Sequence, residues 1–182
     1  MKRTLALVAL FAAAACAPAM ADLKPGATAP PFSAQASLGG NTFTFDLQDA
    51  LKRGPVVLYF YPAAFTTGCT KEAHEFASHI ADFQKLNATV IGVSEDDIAT
   101  LQKFSVSDCR SKFAVAADQN GTIAKEYDAV LTTVPKMYAN RTSYVIDQAG
   151  KIYYSYTDLD AGKHVENTLD ALTKLESATP KP

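Results

Sequence analysis

Six consecutive residues, Val56-Val57-Leu58-Tyr59-Phe60-Tyr61, are apolar or aromatic and β-prone, with Gly54-Pro55 closing the run on one side and Pro62 on the other. A strand with nothing polar on either face must be covered on both, so the run predicts the central strand of a sheet with helices packed above and below. Beyond it Ala73, Phe76, Ala77, Ile80, Phe83 and Leu86 recur at helical spacing, which predicts one amphipathic helix of about 18 residues starting near Cys69. The same reading places strands at 41–45, 88–93 and 113–116, helices at 46–53, 97–106 and 122–127, and a loop at 128–140 containing Pro135. Asp147-Gln148-Ala149-Gly150 separates two β-prone runs at 142–146 and 151–156 as a hairpin turn, and a last helix is expected over 162–175. Strand and helix alternate through the middle of the chain, which implies an α/β fold with parallel pairing there.

The first 21 residues stand apart. Lys2 and Arg3 precede an apolar run from Leu5 to Ala15 that ends in Ala19-Met20-Ala21, the pattern of a secretory signal peptide. The run is too short for a comfortable membrane span. Cleavage after Ala21 removes Cys16; lipidation of Cys16 is the weaker alternative, because Ala13-Ala14-Ala15 lacks the leucine of a bacterial lipobox. Residues 22–176 then form one domain and 177–182, with Pro180 and Pro182, a disordered tail. The address implied is the periplasm, with no membrane association after cleavage. A formal net charge of −2 without a basic stripe argues against nucleic acid as a partner.

Cys69 lies where the strand and its turn deliver a side chain to the start of a helix. Backbone N–H groups of a first helical turn lack intrahelical partners and the macrodipole adds positive charge, so that position favours thiolate over thiol. The only other cysteine after the signal segment is Cys109. For an exported chain a structural disulfide is the plain alternative for two cysteines. A dithiol exchanger would need a cysteine where Glu72 stands, and a copper-delivery protein one where Ala73 stands. His74 and His79 do not share a helix face as a zinc pair would, and Glu95-Asp96-Asp97 reads as the acidic start of a helix. Tyr153, Tyr154 and Tyr156 read as strand packing, His164 as exposed, and Glu72 as a partner for Arg141 or a proton relay.

The segment Pro62-x-x-x-Thr66-x-x-Cys69 resembles the peroxiredoxin signature. Ala29-Pro30-Pro31-Phe32 resembles that family's opening segment, and Arg141 stands where its second active-site residue falls. The likeness runs from about residue 23 to 175 and is nearest the bacterioferritin-comigratory, or Q-type, subgroup, on the joint match of the motifs. It implies a thioredoxin-like fold, with a central mixed sheet flanked by helices, and a peroxide as substrate. In the roles it implies, Cys69 is the peroxidatic nucleophile, Thr66 binds the peroxide, Pro62 shields the site and Arg141 holds thiolate and peroxide together. Cys109 would be the resolving cysteine, forming an intramolecular disulfide; many Q-type relatives carry theirs five residues after the first, where this chain has His74. It further implies a monomer, no metal or organic cofactor, and a thioredoxin-like or glutaredoxin-like reductant.

Overall fold

The computed structural model describes residues 22–131 and 138–178; the segment expected to be a signal peptide, with Cys16, and also Pro135 and residues 179–182 lie outside them. Seven strands form one mixed sheet: β1 (Ser33–Leu38), β2 (Asn41–Asp46), β3 (Val56–Phe60), β4 (Thr89–Ser94), β5 (Ala114–Ala117), β6 (Thr142–Ile146) and β7 (Ile152–Thr157), in the order β2-β1-β5-β4-β3-β6-β7. Among the described residues the helices are α1 (Leu47–Leu51), α2 (Thr67–Ser78), α3 (Ile80–Lys85), α4 (Ile98–Ser107), α5 (Thr122–Glu126) and α6 (His164–Ala178), with a short 3-10 turn at Ala161–Lys163 before α6. The expected α/β sheet flanked by helices is what forms. β3 pairs parallel with β4 and antiparallel with β6, and β4 pairs parallel with β5.

All five residues of β3 are buried, as an all-apolar strand requires. Alternation along the strand divides the core into two layers. Val56, Leu58 and Phe60 join one cluster with Phe32, Phe45, Tyr127 and Tyr144. Val57, Tyr59 and Tyr61 join the other with Phe76, Phe104, Cys69 and Cys109. Both cysteines therefore belong to the layer made by β3, α2 and α4.

Three elements differ from the sequence reading. β1 was not anticipated, because Ser33-Ala34-Gln35-Ala36-Ser37-Leu38 is small and weakly alternating. The adjoining Gly39-Gly40, both at positive φ, closes a β1–β2 hairpin whose β1 also pairs with β5. The single long helix expected after Cys69 is two, broken at His79 (φ −103°, ψ 9°). The hydroxyl of Ser78 donates to the His74 carbonyl at 2.8 Å and the His79 ring meets the Glu75 carbonyl at 3.0 Å, side-chain bonds that compete with the helix ladder. The last helix starts at His164 and runs through Ala178, so Ser177 and Ala178 are helical where a disordered tail was expected.

Gly92 on β4 faces Tyr59 of β3, and a methyl group there would fall 2.7 Å from the tyrosine Cζ. Gly92→Ala is expected to destabilise the fold by about 1–3 kcal/mol through overpacking of this layer, read as a lower urea midpoint with unchanged slope.

Candidate active site

The strand-to-helix connection from Pro62 to Thr66 leaves the C-terminal edge of the parallel strands, where open α/β sheets build their sites. Asp96 pins it: its Oδ2 accepts the Ala64 N–H at 2.7 Å and the Ser94 hydroxyl at 2.8 Å. Asp96 therefore serves this loop, and it is Asp97 that caps α4 by accepting the Thr100 N–H at 2.7 Å. Phe65 takes a left-handed conformation (φ 63°), is half exposed, and sets its ring edge-on to Phe104 at 5.2 Å. Thr66 is the N-cap of α2, but its hydroxyl donates back to the Ala63 carbonyl at 3.0 Å and leaves the first-turn N–H groups without a side-chain cap. Thr66 is exposed and Pro62 half-buried beside the opening.

Cys69 is the third residue of α2 and its side chain is buried. Across from it Arg141, immediately before β6, is only 4% exposed, and all three of its donor groups are engaged. Nη2 donates to Cys69 Sγ at 3.4 Å, Nη1 to Glu72 Oε2, and Nε to the Leu159 carbonyl at 3.0 Å. Gly68 makes this approach possible, since a Cβ there would stand 3.0 Å from Nη2. The guanidinium thus lies against the first turn of α2 with one edge on the sulfur.

Glu72, one helical turn after Cys69, is fully buried. Burial pushes its carboxyl up to about 8, against the opposing pull of Arg141. Its Oε1 has no hydrogen-bond partner and lies 3.7 Å from Nδ1 of His164. His164, expected at the surface, is fully buried. Its Nδ1 meets the Ser143 hydroxyl at 2.8 Å, its Nε2 meets the Asp158 carbonyl at 2.9 Å, and burial draws its basicity down to about 4. A helix-start histidine in a chain segment of Asp158, Asp160 and Lys163 carries no mark of burial in sequence; packing of α6 on β6 and β7 supplies it.

Cys109 follows α4, with its N–H bonded to the Phe104 carbonyl at 3.1 Å. Its thiol is free, as is that of Cys69, and burial pushes it well above the ordinary thiol range. The next two residues, Arg110 and Ser111, are both left-handed, with φ 50° and 56°. This segment is tied to α2 by Arg110 Nη1 donating to the Ser78 hydroxyl at 3.4 Å and by His74 Nε2 lying 3.9 Å from Asp108 Oδ1.

Buried Glu72 and His164 act on stability with opposite sign. Glu72 keeps its proton in the fold up to about pH 8, whereas an ordinary carboxyl loses it near 4.5, so its contribution is full below 4.5 and lost as pH rises to 8. His164 stays neutral in the fold down to about pH 4, whereas an ordinary imidazole charges near 6.5, so its contribution is full above 6.5 and lost as pH falls to 4. Between 4.5 and 6.5 the slopes oppose each other, and the wild type should be nearly flat in this contribution. Glu72→Gln should unmask the histidine, losing roughly 3 kcal/mol relative to wild type on acidification through that range in urea unfolding.

Residues 25–155 match the AhpC/TSA family. A putative peroxiredoxin bcp from Helicobacter pylori is 32% identical over 157 residues, covering 84% of this chain and 100% of that one. The chloroplastic peroxiredoxin Q of Triticum aestivum is 36% identical over 128 residues, 68% of this chain; the match spans 57% of the wheat protein's length. Among solved structures, Peroxidoxin BcpB from Mycobacterium tuberculosis superimposes with a TM-score of 0.76 at 30% identity, covering 84% of this chain and 98% of that one. With the Cys69–Arg141 pair in place on a shared fold, the chain belongs to the AhpC/TSA family, among its peroxiredoxins of the Q and bacterioferritin-comigratory kind.

Proposed function

We propose that the protein is a thiol-dependent peroxidase in which Cys69 is the nucleophile. The observation that carries this reading is the Cys69 sulfur in the first turn of α2 with Arg141 Nη2 at 3.4 Å. The thiolate attacks one oxygen of the peroxide, an S–O bond forms as the O–O bond breaks, and Cys69 leaves as sulfenic acid. The other oxygen departs as hydroxide or alkoxide and takes a proton. Charge moves from sulfur to the leaving oxygen, so a fixed cation and N–H donors beside both atoms act more strongly in the transition state than before it. Arg141 supplies the cation, the first-turn N–H groups of α2 supply donors, and the Thr66 hydroxyl keeps acceptor capacity for the peroxide while donating to Ala63. Half-buried Pro62 shields the opening.

Cys109 then condenses with the sulfenic acid, releasing water and forming an intramolecular disulfide, and an external thioredoxin-like or glutaredoxin-like dithiol reduces it. In the reduced state Cys109 is buried and held as a thiol, so resolution requires the first turn of α2 and the segment around Arg110 and Ser111 to open. Two adjacent left-handed residues without glycine are the strained point at which that opening starts. The Q-type likeness suits a monomer. With the signal segment at 1–21, the enzyme works in the periplasm on hydrogen peroxide or small organic hydroperoxides.

Peroxide consumption with a dithiol supplied tests the scheme. Cys69→Ser should abolish turnover, while Cys109→Ser should form sulfenic acid at Cys69 at the normal rate and then lose turnover with the dithiol. Full turnover in Cys69→Ser would overturn the reading. Gly68→Ala should push the guanidinium off the sulfur and slow Cys69 oxidation by about tenfold or more, equivalent to about 1.4 kcal/mol, with the fold retained.

A further inference from the structure

Behind the guanidinium, away from the opening, lies a second polar group of residues that the peroxide chemistry leaves unused: Glu72, His164, Ser143 and the Asp158 carbonyl. Its proton pattern follows from the partners. A carbonyl oxygen only accepts, so His164 Nε2 carries the hydrogen and donates to Asp158. A neutral imidazole has one N–H, so Nδ1 is a lone pair, filled by the Ser143 hydroxyl at 2.8 Å. Glu72 Oε1, 3.7 Å from that nitrogen and with no hydrogen-bond partner, therefore faces a ring atom that has no hydrogen to donate. An ionised carboxylate oxygen in that position gains no hydrogen bond from the histidine.

The charges around Arg141 make this matter. One buried guanidinium faces two groups able to be anions, Cys69 and Glu72, and a dry site does not neutralise two anions with one cation. The other ionisable groups facing the pair do not supply a second cation: Tyr59 comes from β3, while Asp158 and Asp160 lie beside His164 and are acidic. Tyr156 closes the remaining side, edge-on to the imidazole at 4.9 Å.

We propose that His164 is a positioning residue of this site: by presenting no N–H to Glu72 it keeps the carboxyl protonated, which leaves the Arg141 charge to the Cys69 sulfur and the departing oxygen. When Glu72 does ionise it competes for the guanidinium, and sulfur oxidation slows. This rests on Cys69 being the nucleophile.

The test is the pH dependence of Cys69 oxidation by hydrogen peroxide, followed in single turnover. The wild type should show a descending limb near pH 8, where Glu72 gives up its proton. Glu72→Gln should abolish the limb. His164→Asn, whose amide can donate to Oε1, should move it down by about one pH unit or more. A limb unmoved in His164→Asn overturns the proposal. Nitrogen-15 NMR of the wild type reads the same assignment without turnover, with His74→Gln and His79→Gln identifying the remaining signal. His164 should be the neutral Nε2–H tautomer at pH 7, and an imidazolium or the Nδ1–H tautomer overturns the proposal even if His164→Asn does not fold. A failed Cys69 assignment would appear separately, as oxidation persisting in Cys69→Ser.

Discussion

A guanidinium buried to within 4% of full enclosure needs partners on every edge, and the arrangement of this molecule around Arg141 follows from that need. Glu72 and Cys69 meet it from successive turns of one helix, and the Leu159 carbonyl meets it from the segment after β7. These contacts are weak evidence of stability, because taking the guanidinium out of water costs most of what its partners return. Their use is geometric: three anchored donors leave the cation almost no rotational freedom, and the sulfur is met by a charge already in place. The missing side chain at Gly68 and the adjacency of β3 and β6 are the conditions under which that edge can reach the first turn of α2.

The two thiols sit in one layer of the core for a reason that starts in β3. Odd-numbered Val57, Tyr59 and Tyr61 point to the same face, and α2 and α4 cover it with Phe76 stacked on Tyr59 at 4.4 Å and Phe104 on Tyr61 at 5.6 Å. Cys69 enters this layer at the start of α2 and Cys109 at the end of α4. The Cys69 sulfur has a cation beside it, whereas the Cys109 thiol is held protonated by burial and by the neighbouring Asp108. One fold thus holds two buried thiols in a single aromatic layer, one of them beside a guanidinium, and a conformational step is what would bring them together.

Much of the architecture could be read from apolar spacing. An all-apolar strand admits only a central place, and turn residues such as Asp147 to Gly150 mark a hairpin wherever they occur between β-prone runs. What escaped reading depended on small competing interactions. The break at His79 lies in a stripe whose period continues unbroken, because the periodicity records which side chains face the core and not whether the backbone bonds run on between them. β1 escaped because its side chains are small, although Gly39-Gly40 was a signal that could have found it. Asp96 was taken with its neighbours as helix-start charge, and only Asp97 has that role, since adjacent residues of a turn point in different directions.

Local chemistry was sufficient to single out Cys69: a strand, a Pro62-to-Thr66 turn and a helix start are consecutive in the chain, and the polarity of a first helical turn depends on nothing farther away. The partnership with Arg141 and Glu72 could be expected by resemblance, but its geometry requires β6 to lie beside β3 and α2 to cross above it. The position of His164 left no trace in its neighbours along the chain. Its burial, its bond to Ser143 and its approach to Glu72 arise from contacts among α2, β6 and α6, because the protonation of a dry carboxyl depends on every group around it in space and not on those beside it in sequence.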